Sequence, residues 1–273
     1  MTIAMFDSAD YSGMSALFLA VFTGLWPFSP TSRAKIVEPR LEIMTGRAQP
    51  QVALTLDLCM GGTDYRILDV LIDEKIPATL FVTGRWLRDN GDVVDKIRAH
   101  PELFEIGNHG ANHIPPIDSR GTVYGVKTAG SISRVCEDVI EGVRAIEQAG
   151  LASAGRPRWY RGATALYSPD AIVMIEKLGF RIAGFSLNAD EGASLPAREV
   201  ARRIRAAKNG DVIIAHMNRP SRLSGAGVAE GIIALKKKGY CFVKLSDGAA
   251  PAKTGLTMQY KSCAGVLKGQ SDP

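Results

Sequence analysis

The chain predicts an α/β fold, an irregular or incomplete parallel (β/α) barrel. Three observations carry that expectation. From about residue 50 onward, short apolar runs alternate with amphipathic segments, the pattern of strand and crossover helix. Most of the runs are rich in β-branched and aromatic residues, as strands covered on both faces are. No dinucleotide fingerprint accompanies them, which favours a barrel over a doubly wound sheet.

Taken in order, the strand candidates are QVALTLD (51–57), ATLFVTG (78–84), FEIGNHG (104–110), RWYRGA (158–163), FRIAGFSL (180–187), DVIIAHM (211–217) and YCFVKLS (240–246). Helices are expected between them. YRILDVLIDEK (65–75) has Asp64 as a fitting N-cap. ISRVCEDVIEGVRAIEQAG (132–150) repeats Val135, Val139, Val143 and Ile146 at helical steps and stops at Gly150. SPDAIVMIEKLG (168–179) offers Ser168 as cap and Pro169 at the first helical position. The stretches 196–210 and 227–239 follow the same scheme, each closing on glycine.

The 273 residues carry 46% hydrophobic and 22% charged side chains, enough for one large core. Net charge is +5, but the basic residues are scattered over helix faces such as RRIRAAK, so a nucleic-acid partner is not expected. Cys59, Cys136, Cys241 and Cys263 contain no CxxC pair; two of them can bridge in an oxidising compartment, and the sequence does not choose which.

Residues 1–48 read as an apolar, signal-like segment (MSALFLAVFTGLWPFSP) followed by a polar connector at 31–48. Its flanks are unusual, with Asp7 and Asp10 before it and Arg33 and Lys35 only after. An export signal or loose membrane anchor is favoured over a buried helix, giving an exported, periplasmic or envelope protein. Residues 49–247 form the expected folded domain, and 248–273 a polar tail of little structure.

In a parallel barrel, chemistry collects at the C-terminal ends of the strands. Asp57 ends the first predicted strand, His109 the third, Arg161 sits late in the fourth, Asp190 follows the fifth and His216 closes the sixth. His113, four residues after His109, can share a metal ion with it. Any one charged strand end is explained by solvation; the set is not.

These residues resemble the polysaccharide deacetylases, whose shared domain is the NodB homology domain. TLDLC (55–59) is similar to the family's Thr-Phe-Asp-Asp-Gly motif and HGANH to its His-x-x-x-His motif. RGAT (161–164) matches Arg-x-Pro-Tyr in part, and IAH (214–216) resembles Leu-x-His. The resemblance runs from about residue 50 to 247 and implies a NodB-type barrel that removes N-acetyl groups from an amino-sugar polysaccharide, acting as a monomer. It implies a divalent cation, zinc first and cobalt or manganese next, on His109 and His113. Asp57 is then the general base, His216 the acid that protonates the amine, and Arg161 and Asp190 the groups that orient them. A backbone N–H near Thr164 is the oxyanion donor, and Asn218 a contact for the sugar.

The sequence also departs from the family. Leu58 stands where a second aspartate supplies the third metal ligand. Asp64, brought back by Gly61 and Gly62, is the first replacement, Cys59 the second, and a site with no third protein ligand the remaining option. Ala163 and Thr164 replace the Pro-Tyr pair, leaving Tyr167 or Trp86 to wall the acetyl pocket; Arg219 reads mainly as solvated surface. His100 reads as a helix-end residue without a role. Two alternatives stay open: an O-acetyl esterase on xylan-like glycans, and a metal-free glycan-binding pseudoenzyme.

Overall fold

The computed structural model describes residues 36–46, 48–152, 157–250 and 263. The signal-like run and almost all of the tail lie outside these residues. Among the described residues, no helix is long and apolar enough to cross a membrane.

Eight strands form one parallel sheet. In chain order its strands are β1 (Gln51–Leu58), β2 (Ala78–Val82) and β3 (Phe104–Asn108), with a small hairpin of β4 (Thr122–Val123) and β5 (Val126–Lys127) standing apart. The sheet continues with β6 (Trp159–Tyr160), β7 (Arg181–Ile182), β8 (Leu187–Asn188), β9 (Val212–His216) and β10 (Cys241–Val243). The order is β7-β6-β3-β2-β1-β9-β8, while β10 shares with β2 the edge of β1 opposite β9.

The run 180–187, expected as one strand, is two. β7 and β8 lie at opposite ends of the hydrogen-bonded order, yet only four residues separate them in the chain. Laid flat, seven strands would hold their edges about 29 Å apart at about 4.8 Å per strand. Five Cα steps reach only about 18 Å. The sheet therefore curls into a half-barrel whose open seam is crossed by residues 183–186.

Strand alternation sorts the core. Leu54, Leu56 and Leu58 face the outer helices, each fully buried and contributing about 1.5–3 kcal/mol. Ala53 joins Phe81, Trp159, Ala183 and Val212 in a cluster inside the barrel floor. Ile43 belongs to that floor although it falls in the stretch read as a polar connector. Val37 bridges Tyr167, the Ile43 N–H donates to the Gly210 carbonyl, and the Leu41 N–H donates to the Phe185 carbonyl, laying residues 37–43 along the seam. Val37, Leu41 and Ile43 are apolar residues spaced among charges, which is why the segment can lie against the barrel.

The helices are α1 (Tyr65–Asp73), α2 (Gly84–Asp89), α3 (Gly91–Arg98), α4 (Ile132–Gln148), α5 (Pro169–Lys177), α6 (Ala197–Arg205), α7 (Ser224–Lys237) and the short α8 (Leu245–Gly248). α2 and α3 had no helix candidate of their own, because Asn90-Gly91 between them reads as a turn. Ser168 occupies the N-cap position of α5, but its hydroxyl accepts from the Asp118 N–H instead of capping. His100 lies just past the C-cap of α3, 3.3 Å from Glu102.

Candidate functional site

The inward side chains of β1 rise from floor to rim as Ala53, Thr55 and Asp57, and Cys59 follows on the same face just past the strand's end. Parallel register sets Asp57 beside Phe81 on one side and His216 on the other. The ends of β1, β3, β6 and β9 thus share one rim, which opens on a cavity of about 640 Å³. Asp57, Cys59, His113, Thr164, His216, Asn218 and Arg219 all line it.

Arg161 lies beneath the rim, fully buried and stacked on the Phe81 ring with 4.3 Å from guanidinium carbon to centroid. It donates to the Ala183 and Gly184 carbonyls at 3.1 Å, to Thr55 Oγ1 at 2.8 Å and to Asp57 Oδ1 at 2.9 Å. Burial acts to raise the Asp57 pKa, but the charges of Arg161, His109 and His216 outweigh it and hold this carboxyl below the ordinary range. Asp57 is therefore an anion whose second oxygen, Oδ2, lies 3.8 Å from His109 Nε2.

The Arg161 carbonyl fixes the other histidine nitrogen: His109 Nδ1 lies 2.6 Å from it, so Nδ1 carries the proton and donates. Nε2 is left as the ligand atom, 3.4 Å from Cys59 Sγ. His113 completes the turn with a left-handed φ of 58°, its ring centroid 5.1 Å from that of His109. A non-glycine residue in that region is uncommon and clusters at functional sites.

Opposite, Asp190 grips His216 twice. Its Oδ1 lies 2.9 Å from Nδ1, and its Oδ2 accepts the His216 backbone N–H at 2.7 Å. Burial alone would lower the His216 pKa, but the Asp190 charge and hydrogen bond carry it well above the ordinary value. Cys59 shows the reverse balance: burial raises its pKa, and the imidazoles of His109, His113 and His216 bring the thiol well below its usual range.

The expected ligand set needs one correction. Asp64 does not join the histidines. Its Oδ1 caps α1 by accepting the Arg66 N–H at 3.2 Å, and the Arg66 side chain takes both oxygens at 2.8 and 2.5 Å. Cys59, His109 and His113 instead bring one donor atom each within 4.8 Å of one another, the one such group among the described residues. The set fits a zinc-like ion in chemistry and spacing. Thiolate and imidazole are its usual ligands, and 3.4 Å between two donors suits a tetrahedral ion bonded at about 2.0–2.3 Å.

Thr164 sits in a short turn, Ala163–Ala165, at φ 66°, with its hydroxyl oxygen buried and unpartnered. Asn218 holds the Met60 carbonyl through Nδ2 at 2.6 Å, while its Oδ1 is buried without a partner. Neither aromatic proposed for the pocket wall lines the cavity. Trp86 is buried in the outer core, and Tyr167 accepts the Gly162 N–H at 2.7 Å beneath the turn. Glu38, Tyr124, Val126, Phe185 and Glu191 line it instead, and sequence reasoning missed them. A signal for Tyr124 existed: in TVYGVK the strand-like residues flank Tyr-Gly, and both turn residues have positive φ, 49° and 78°, as a tight hairpin demands.

Known proteins share this fold. The polysaccharide deacetylase profile matches residues 45–183, just over half of the chain. The "Uncharacterized 30.6 kDa protein in fumA 3'region" of Geobacillus stearothermophilus is 26% identical over 194 residues, covering 68% of this chain and 66% of that protein. PdaA of Bacillus subtilis, a family 4 carbohydrate esterase, superposes with a TM-score of 0.60 at 20% identity, over 76% of this chain and 82% of its own. BA3943 of Bacillus anthracis, a family 4 pseudoenzyme, gives 0.59 at 19% identity, over 73% and 65%. The match to the first and last of these thus spans slightly less than two thirds of their lengths. With the half-barrel and the motif residues on its rim, the chain belongs to the polysaccharide deacetylase family.

Proposed function

We propose that the protein is a metal-dependent hydrolase that removes N-acetyl groups from an amino-sugar polysaccharide. The observation that carries this reading is the meeting of an ionised Asp57, His113 and the Asp190-bound His216 in one cleft, with the buried His109 beside Asp57 and His113. A divalent cation held there, zinc first, supplies Lewis acidity for the acetyl carbonyl and acidifies water. Asp57 takes a proton from the attacking water, and Arg161 keeps it ionised for that task. His216, protonated at neutral pH through Asp190, gives its proton to the sugar nitrogen as the carbon–nitrogen bond breaks. Acetate and a free amine leave. The turn at Thr164 and the unpartnered Oδ1 of Asn218 are assigned to the oxyanion and to a sugar hydroxyl.

The Cys136–Cys263 disulfide supports placement in an oxidising compartment, and with the apolar N-terminal run it favours export to the envelope. No nucleic-acid partner is proposed, and the chain is taken to act as a monomer, with at most a loose membrane association at its N-terminus.

One observation favours a second reading. Leu58 replaces the family's second aspartate, as a glycan-binding pseudoenzyme would tolerate. Acetate release from chitin oligomers, peptidoglycan and acetylated xylan, measured beside metal content, separates the readings. Turnover on the amino-sugar polymers is expected, and Asp57→Asn should lower it about a hundredfold or more with metal content kept. Release from xylan alone would indicate the O-acetyl esterase; metal-free, inert protein would indicate the pseudoenzyme.

A further inference from the structure

We infer that Cys59 is the third ligand of the metal centre, so that the cleft presents a Cys59–His109–His113 donor set selective for zinc or cobalt over manganese or magnesium. The inference takes the cation from the function proposed above and specifies what holds it.

Strand parity is the first argument. Leu54, Leu56 and Leu58 all pack in the outer core, which commits position 58 to the helix side. Asp57 faces the barrel, and Cys59 returns to that face just beyond the strand end. There it is 5% exposed and lines the same cavity as His113 and His216. Its carbonyl accepts from the Thr83 hydroxyl, as does that of Leu58, and this fixes the backbone that aims the thiol.

The competing carboxylates are engaged, Asp64 wholly and Asp57 through one oxygen. Asp64 is bound to Arg66 and to the start of α1, and Arg66 is itself anchored on the Pro220 and Arg222 carbonyls at 3.0 and 2.7 Å. Asp57 has one oxygen committed to Arg161. The thiol, by contrast, has His109 Nε2 at 3.4 Å, and that nitrogen is freed by the Arg161 carbonyl on the far side of the ring.

Chemistry gives the selectivity. A thiolate is a softer donor than a carboxylate and carries the same single charge. Replacing one by the other leaves the site's charge unchanged while moving its preference from manganese and magnesium towards zinc and cobalt.

The test is anaerobic cobalt(II) titration of the full-length protein, followed by absorption and by competition with zinc and manganese. Wild type should bind a single equivalent with a near-ultraviolet thiolate-to-cobalt charge-transfer band and should prefer zinc to manganese. Cys59→Ser should lose the band and weaken cobalt binding by about a hundredfold or more, given that even outer-shell changes cost about 10–100-fold. Cys241→Ser, which removes the other free thiol, should change neither. Cobalt bound by wild type without the band overturns the inference and leaves the proposed deacetylase standing. No cobalt bound at all overturns both. The wild-type spectrum decides even if Cys59→Ser does not fold.

Discussion

Asp138 lies behind the histidine turn, 3% exposed, with Oδ1 accepting the Asn112 N–H at 2.8 Å and Oδ2 unpartnered. Burial raises its pKa above the ordinary 3.8, and the hydrogen bonds from Asn112 recover only part of the shift. Between 3.8 and the raised folded value, the native protein holds more protons than the unfolded chain. Stability from this group is therefore fully present below 3.8 and is lost as pH rises through the folded pKa. Urea unfolding of wild type and Asp138→Asn from pH 4 to pH 7 should show a falling wild-type curve and a flatter variant; parallel curves would refute the assignment. At this scale the sequence is legible where a polar residue ends an apolar run. Asp57, His109, Arg161 and His216 follow from that rule, and the structure gathers them. The choice between Asp64 and Cys59 was not legible. It depends on a guanidinium two residues along the chain and on strand parity continuing past the last hydrogen bond.

The histidine turn is held by α4. Asn108 donates to the Val139 carbonyl at 2.9 Å and accepts the Gly110 N–H at 2.8 Å, and the Ala111 N–H donates to the Asp138 carbonyl at 3.0 Å. Gly142 makes the close approach possible, because a Cβ there would meet the Gly110 backbone at 2.9–3.0 Å as well as the Asn108 side chain. Alanine in place of glycine gains at most about 1 kcal/mol of helix propensity. Overpacking against backbone costs about 1–3 kcal/mol, so the clash should win. Gly142→Ala is expected to lower the urea midpoint and to weaken binding of the proposed cation, assayed with added cobalt; a stabilised variant with undiminished cobalt binding would show that the turn is not positioned this way. Long amphipathic elements such as α4 were readable from periodicity. α2 and α3, of six and eight residues, were too short to establish a period.

Across the whole molecule, a parallel α/β barrel was readable from the alternation of runs, but its seam was not. One apolar run serves both edges of the sheet, and no local propensity distinguishes a continuous strand from two that part company. Long-range covalent closure was equally hidden. Cys136 in α4 is bonded to Cys263, 127 residues on, and four dispersed cysteines do not announce a pair. Such a link contributes about 2–4 kcal/mol by restricting the unfolded chain. Dithiothreitol should lower the thermal midpoint of wild type and leave that of Cys263→Ser unchanged; equal shifts in both would show that the bridge does not form.

The strip at 37–43 places a constraint on maturation. Glu38 borders the cavity and Ile43 packs in the floor cluster, so if the apolar run is cleaved as the proposed leader, a cut downstream of Glu38 would remove part of the cavity's border with it. Under that proposal, trimming that stops short of Val37 keeps both the lining and the floor.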